Sequence, residues 1–296
     1  MKRIISICLI ILSVLSQELK AQEKDLLDLV DDGKKPHELV KNAFKSIRVI
    51  NGHSMEFLAP GTMDFRILHR FGNFNQGTSN LFGLDQASMR MGFDFGLTNY
   101  LQIGVGRSTF KKEVDGYIKY GILRQSTGDR SFPITIALVG GITMNTLPFS
   151  DPTAKNYFSS RLAYYAQTIF GRKFGDKFTL QLTPTYVHTN LVPLAVDPND
   201  VYALGFGGRV KLTNRMAFTW DYFYNLNGLT DDVTYNPLSV GVDIETGGHV
   251  FQLHVSNAAG MNERAFINET TDSWERVDLK FGFNLSRIFQ IKKTRK

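Results

Sequence analysis

The chain has 296 residues, 43% hydrophobic and 21% charged, with a formal net charge of +6. That excess is modest and scattered, which excludes a nucleic-acid surface as the basis of function. The single cysteine, Cys8, excludes a disulfide framework and any Cys-based zinc or redox site.

Lys2 and Arg3 precede an apolar run from Ile4 to Leu15, and a polar stretch ends in Leu19-Lys20-Ala21 before Gln22. The run is about 12 residues, short of the roughly 20 that a spanning helix needs. This layout predicts a secretory signal peptide over residues 1–21, cut after Ala21. Its loss removes three positive charges and one negative, leaving +4, and takes Cys8 with it. Residues 22–61 read as an N-terminal segment. Asp25 to Ser46 has helical character in two pieces broken near Gly33 and Pro36, with Leu39, Val40, Ala43, Phe44 and Ile47 at helical spacing. Such a segment packs on a periplasmic rim, stays loosely ordered, or enters a barrel as a plug.

From Thr62 the period changes to two. Phe65 and Ile67 alternate with Asp64 and Arg66; Met89, Met91, Phe93 and Phe95 alternate with Ser88, Arg90, Gly92 and Asp94. Leu101, Ile103 and Val105 follow, then Val114, Ile118, Tyr120 and Ile122 against Asp115 and Lys119. Ile134 to Ile142, Leu162 to Phe170 and Phe178 to His188 continue the series. Tyr202 to Leu212 opposes Arg209 and Lys211, and Phe218 to Tyr224 opposes Asp221. Val240 to Ile244 opposes Asp243 and Glu245, Phe251 to Val255 opposes Gln252 and His254, and Val277 to Leu285 opposes Asp278 and Lys280. About twelve strands of this length, with Phe and Tyr at outward positions, predict an all-β fold: a transmembrane antiparallel β-barrel over residues 62–289, with a short N-terminal helical segment and a basic tail at 290–296. Tight Gly- or Asn-bearing turns alternate with longer links such as Gly72 to Gln86 and Ala258 to Trp274, as outer-membrane barrels alternate periplasmic turns and outer loops. An even strand count puts both termini in the periplasm of a Gram-negative cell.

The same alternation predicts a lumen lined by Asp64, Arg66, Arg90, Asp94, Asp115, Lys119, Arg209, Lys211, Asp221, Asp243 and Lys280. The signs are balanced, which favours cross-strand ion pairs over a selective ring of one charge. The expected function is porin-like passage of small polar solutes across the cell outer membrane; the alternative is a closed structural or interaction barrel. A third reading rests on His254, Ser256 and Asn257. Residues i and i+2 share a strand face, so His254 could activate Ser256 as a nucleophile. The string is similar to the active-site string of outer-membrane phospholipase A and of lipid A deacylases, but Phe251, Leu253 and Val255 take the lipid side here, turning the pair inward. The six histidines fall at no metal-ligand spacing on one element, so neither metal nor cofactor is expected. The expected partners are outer-membrane lipid, small polar solutes and a periplasmic protein reached through the N-terminal segment, with no nucleic acid.

Four stretches carry a resemblance: Asn51-Gly52-His53-Ser54-Met55-Glu56, Asp64 to Gly72 (DFRILHRFG), Gly248 to Val255 (GHVFQLHV) and Phe281 to Arg287 (FGFNLSR). With them the chain resembles the uncharacterised outer-membrane β-barrel proteins of Bacteroidota, a family defined by a domain of unknown function, from about Phe44 to Phe289. The resemblance implies a barrel and a location, and no activity.

Overall fold

Successive side chains of a strand face opposite ways. A segment apolar at every second position therefore turns its apolar side chains to one face and its polar ones to the other. The computed structural model describes residues 36–129, 131–149, 152–153, 155–192, 196–227 and 233–292. The expected signal peptide, the first helical piece and most of the basic tail lie outside the described residues. Twelve strands form one closed barrel. They are β1 (Thr62–Asn73), β2 (Ala87–Gly96), β3 (Leu101–Ser108), β4 (Glu113–Leu123), β5 (Thr135–Asn145), β6 (Leu162–Phe174), β7 (Phe178–Thr189), β8 (Asp200–Lys211), β9 (Met216–Asn225), β10 (Leu238–Thr246), β11 (His249–Ser256) and β12 (Lys280–Gln290). Each pairs antiparallel with the next. β12 returns to β1 through pairs such as Phe283↔His69 and Gln290↔Thr62, so the sheet has no free edge.

At one end, the turn end, the links are short: residues 97–100, 175–177, 212–215 and 247–248, with 124–134 longer. Gly247 and Gly248, at φ 46° and 115°, supply the left-handed backbone of a two-residue hairpin turn. At the opposite loop end lie 74–86, 146–161, 190–199, 226–237 and 257–279, with 109–112 the short exception. On the outer wall Ile118, Tyr120 and Ile122 are about half exposed, while their neighbours Tyr117 and Lys119 are buried within the barrel.

The interior departs from a uniformly polar lumen. Tyr117, Ala137, Val139, Tyr165, Ile169, Val187, Val201, Ala203 and Phe223, from β4 to β9, face inward and form a buried apolar core with Phe44, Val49, Met55, Phe266 and Ile267. The charged wall residues come mostly from β1 to β4 and from β8 to β12. The lumen thus has an apolar side and a charged side.

Two further boundaries differ from expectation. The helix expected over Asp25–Ser46 is absent from its described part. Glu38–Leu39 instead pairs as a two-residue strand with Ser126–Thr127 in the long turn-end link. Beyond it the backbone finds its partners on other elements rather than four residues along: Phe44 donates to Glu56 Oε1 at 3.3 Å, and the Ala43 carbonyl accepts from Thr179 Oγ1 at 2.9 Å. The last strand begins at Lys280, three residues later than the alternation from Val277 suggests. Asp278 consequently stays outside the barrel and accepts a hydrogen bond from Asn75.

Candidate functional site: the filled lumen

The wall charges pair with one another and with the chain that fills the barrel. Arg90 Nε donates to Asp115 Oδ1 at 2.8 Å. Arg66 pairs with Asp64, which also accepts from Ser286 Oγ at 2.6 Å, and its Nε lies 3.7 Å from Asp94. Asp94 accepts in addition from the Tyr117 hydroxyl at 2.6 Å. Asp243 accepts from Thr219 at 3.2 Å and Gln252 at 3.0 Å, and Lys280 reaches Asn73 and Asp272. Asn73 and Asp272 are half-buried; the other side chains of this network, with Lys119, Arg209 and Asp221, are buried. Lys211 is only half-buried at the turn-end rim.

Residues 40–61 enter from the turn end, reverse, and return to start β1. Val49 N bonds to Gly52 O at 2.9 Å and Ser54 N to Ile47 O at 2.9 Å, making a tight hairpin with Arg48 facing His53. Its tip is gripped by the charged side. One oxygen of Asp221 accepts the amides of Ile50, Asn51 and Gly52 at 3.3, 2.6 and 3.0 Å. Asn51 donates to Ser239 at 2.7 Å and accepts from Arg70 at 2.7 Å. Asn284 and Gln252 donate to the Ile50 and Val49 carbonyls at 2.9 and 2.6 Å. Lys119 Nζ bonds to the Ser54 carbonyl at 2.7 Å, and Gln181 bridges Met55 N and His53 O at 3.0 and 2.7 Å. Gly52 is required here, because a Cβ would lie 2.6 Å from the Phe223 ring.

The long link between β11 and β12 fills the lumen from the other end. It carries helix α1 (Glu263–Asn268), capped by the Asn262 side chain on Ala265 N at 2.9 Å. Arg264 pairs with Glu113 of β4 and with Glu269, and Phe266 packs on Phe223 with ring centroids 4.9 Å apart. The cations of Arg264 and Lys111 hold the Glu269 carboxyl below the usual carboxylate range against the opposing effect of burial. The two fillings meet at Glu263. Arg48 Nη1 donates to its Oε1 at 2.9 Å, His53 Nε2 lies 3.3 Å from the same oxygen, and both Arg48 and Glu263 side chains are 1% exposed.

His254 and Ser256 face inward, and Asn257 follows just beyond the end of β11, where it is also buried. His254 Nδ1 lies 3.3 Å from the Gln252 carbonyl, while its Nε2 has no hydrogen-bond partner among the described residues. Ser256 Oγ accepts from Ser239 at 2.8 Å and Ala258 N at 3.0 Å. Asn257 holds the link in place through Leu238 N and the Asn236 and Asp272 carbonyls. The serine is therefore engaged with neighbours other than the histidine. Sequence reading missed Arg48, Glu263 and Phe266, which lie outside any strand and gain their role only when the two fillings meet. The available signal was β5, whose sequence TIALVGGITMN is apolar on both faces, the mark of a strand buried on both sides.

Residues 44–289 match the family described as "Membrane bound beta barrel domain (DUF5777)". No curated protein matches the sequence. Among solved structures, the NanC porin is 9% identical, with 78% of this chain and 100% of that one covered and a TM-score of 0.48. The Ralstonia pickettii toluene transporter TbuX is 10% identical, with coverage of 80% and 90% and a TM-score of 0.37. OmpF of Salmonella typhi, in complex with daunomycin, is 8% identical, with coverage of 77% and 97% and a TM-score of 0.36.

Proposed function

Because the chain belongs to the DUF5777 family of membrane bound beta barrel domains, we propose that it is a plugged channel of the outer membrane, shut at rest, that passes small polar solutes once the N-terminal hairpin leaves the lumen. The observation that carries this reading is the meeting of two fillings from opposite ends at Arg48 and Glu263. On the charged side the hairpin is held mainly by side chains bonding its backbone, and water can replace such bonds at little net cost. A periplasmic partner pulling on the residues before Val40 would act on the segment that must move. The second reading, a permanently closed interaction barrel, is favoured by the packing of Phe44, Val49 and Met55 in the apolar core.

Planar-bilayer conductance separates the two. The full chain is expected to be silent and a chain lacking residues 22–58 to conduct. Should the truncated barrel fail to fold, Asn51→Cys with Ser239→Cys, joined by a cleavable bis-thiol reagent, pins the hairpin tip to β10. High applied voltage should then give current only after cleavage. Silence in every folded form would replace the channel with the closed interaction barrel.

A further inference from the structure

The outer wall is not uniformly bulky. Gly140 of β5, Ala166 and Thr168 of β6 and Pro184 of β7 face outward and floor a groove of about 520 Å³. Gly140 stands opposite Ala166, which stands opposite Tyr186. Leu138 and Tyr202 rise beside this floor, 43% and 51% exposed. Pro184 has no N–H to give, and the β6–β7 pairing passes from Gln167↔Thr185 to Phe170↔Leu182 across it. A proline inside a membrane strand costs a ladder bond, which a smooth wall would not require.

Towards the loop end the groove runs into a polar cluster on the same outer face. The Tyr186 hydroxyl donates to Asp200 Oδ1 at 2.6 Å, and His188 Nδ1 lies 2.7 Å from the same oxygen. His188 Nε2 lies 2.9 Å from Asn190 Oδ1, whose amide nitrogen donates to the Ser159 carbonyl at 2.8 Å. The Tyr164 ring stacks on His188 with centroids 6.4 Å apart. Among the described residues both side-chain contacts to Asp200 use one oxygen of its half-exposed carboxylate, which leaves the other to accept from outside.

We propose that this groove and cluster form a binding site for one membrane lipid. An acyl chain lies along the small-residue floor, and an N–H or O–H of the headgroup is donated to Asp200. The proposal rests on the membrane location of the barrel and not on whether the lumen opens. A recess of about 520 Å³ floored by small side chains admits a flexible acyl chain, whereas the convex wall of a second barrel would bridge it. The polar end also coincides with the ends of β7 and β8, where the headgroup layer begins on a membrane strand. Both ring nitrogens of His188 are engaged, with oxygens of Asp200 and Asn190, so the cluster recognises a headgroup rather than activating a nucleophile.

Native mass spectrometry of the full-length protein in mild detergent tests this, with phosphatidylethanolamine and phosphatidylcholine as probes. Phosphatidylethanolamine has ammonium hydrogens to donate and phosphatidylcholine has none. One phosphatidylethanolamine should survive activation that strips the rest. A Cβ on Gly140 meets nothing within 4 Å among the described residues, so Gly140→Leu fills the groove without disturbing the wall and should lower retention about tenfold. Ala166→Leu is the second filling variant should the first fail to fold. Asp200→Ala should abolish the preference for phosphatidylethanolamine. Equal retention in wild type and both filled variants would overturn the site. A dimer that the filled variants lose would overturn it in favour of a second copy.

Discussion

Asp221 shows how one side chain sets the shape of the filling. Three consecutive amides converge on a single carboxylate oxygen. Removing the carboxylate with Asp221→Ala leaves buried donors unpaired, at about 1–3 kcal/mol for each group so stranded. The expected result is fast hydrogen exchange at residues 50–52 and a lower unfolding temperature, with Asp221→Asn intermediate because it keeps an acceptor. Unchanged exchange at these amides would show that the grip lies elsewhere. The inward direction of Asp221 was legible from its alternation with Trp220 and Tyr222. Its partner was not, because nothing local in the string Ile50-Asn51-Gly52 marks a nest of amides that forms only inside the barrel.

The elements divide in the same way. Strand period is a local property, so β1 to β12 could be read from neighbouring residues. The hairpin of residues 40–61 and the inserted link with α1 owe their conformations to tertiary contacts that override local propensity. Leu39, Val40, Ala43, Phe44 and Ile47 have helical spacing, yet these residues take up the contours of the wall instead. In the link, Glu269 bridges Arg264 of α1 and Lys111 of the connection between β3 and β4. Its folded carboxyl titrates below the unfolded one, so the folded link binds fewer protons, and its contribution is fully present above the unfolded value of about 4.3. That contribution is lost as pH falls through the folded value. Hydrogen-exchange protection of residues 263–268 should therefore hold from pH 7 to about 5 and fall below about 4. Glu269→Gln should remove this acid step, and an acid step retained in that variant would assign it to another carboxylate.

For the molecule as a whole, the outer and inner walls make opposite demands. Ile118 is 58% exposed near the middle of β4, and in water such a residue could become arginine at almost no cost. On a lipid face near the bilayer midplane the same change costs about 2–4 kcal/mol. Ile118→Arg should lose that amount in denaturant titrations of the barrel folded in lipid vesicles, and a neutral result would contradict lipid contact at this position. The inner wall carries a different consequence. Emptying the lumen would wet Phe44, Ile169, Phe266 and their neighbours, and exposing apolar surface raises the heat capacity. The free energy of the shut state is then a dome in temperature rather than a slope, with its stability declining on both sides of a maximum. Cold as well as heat would favour the proposed open form, so a barrel of this build would act as a thermometer with two ends.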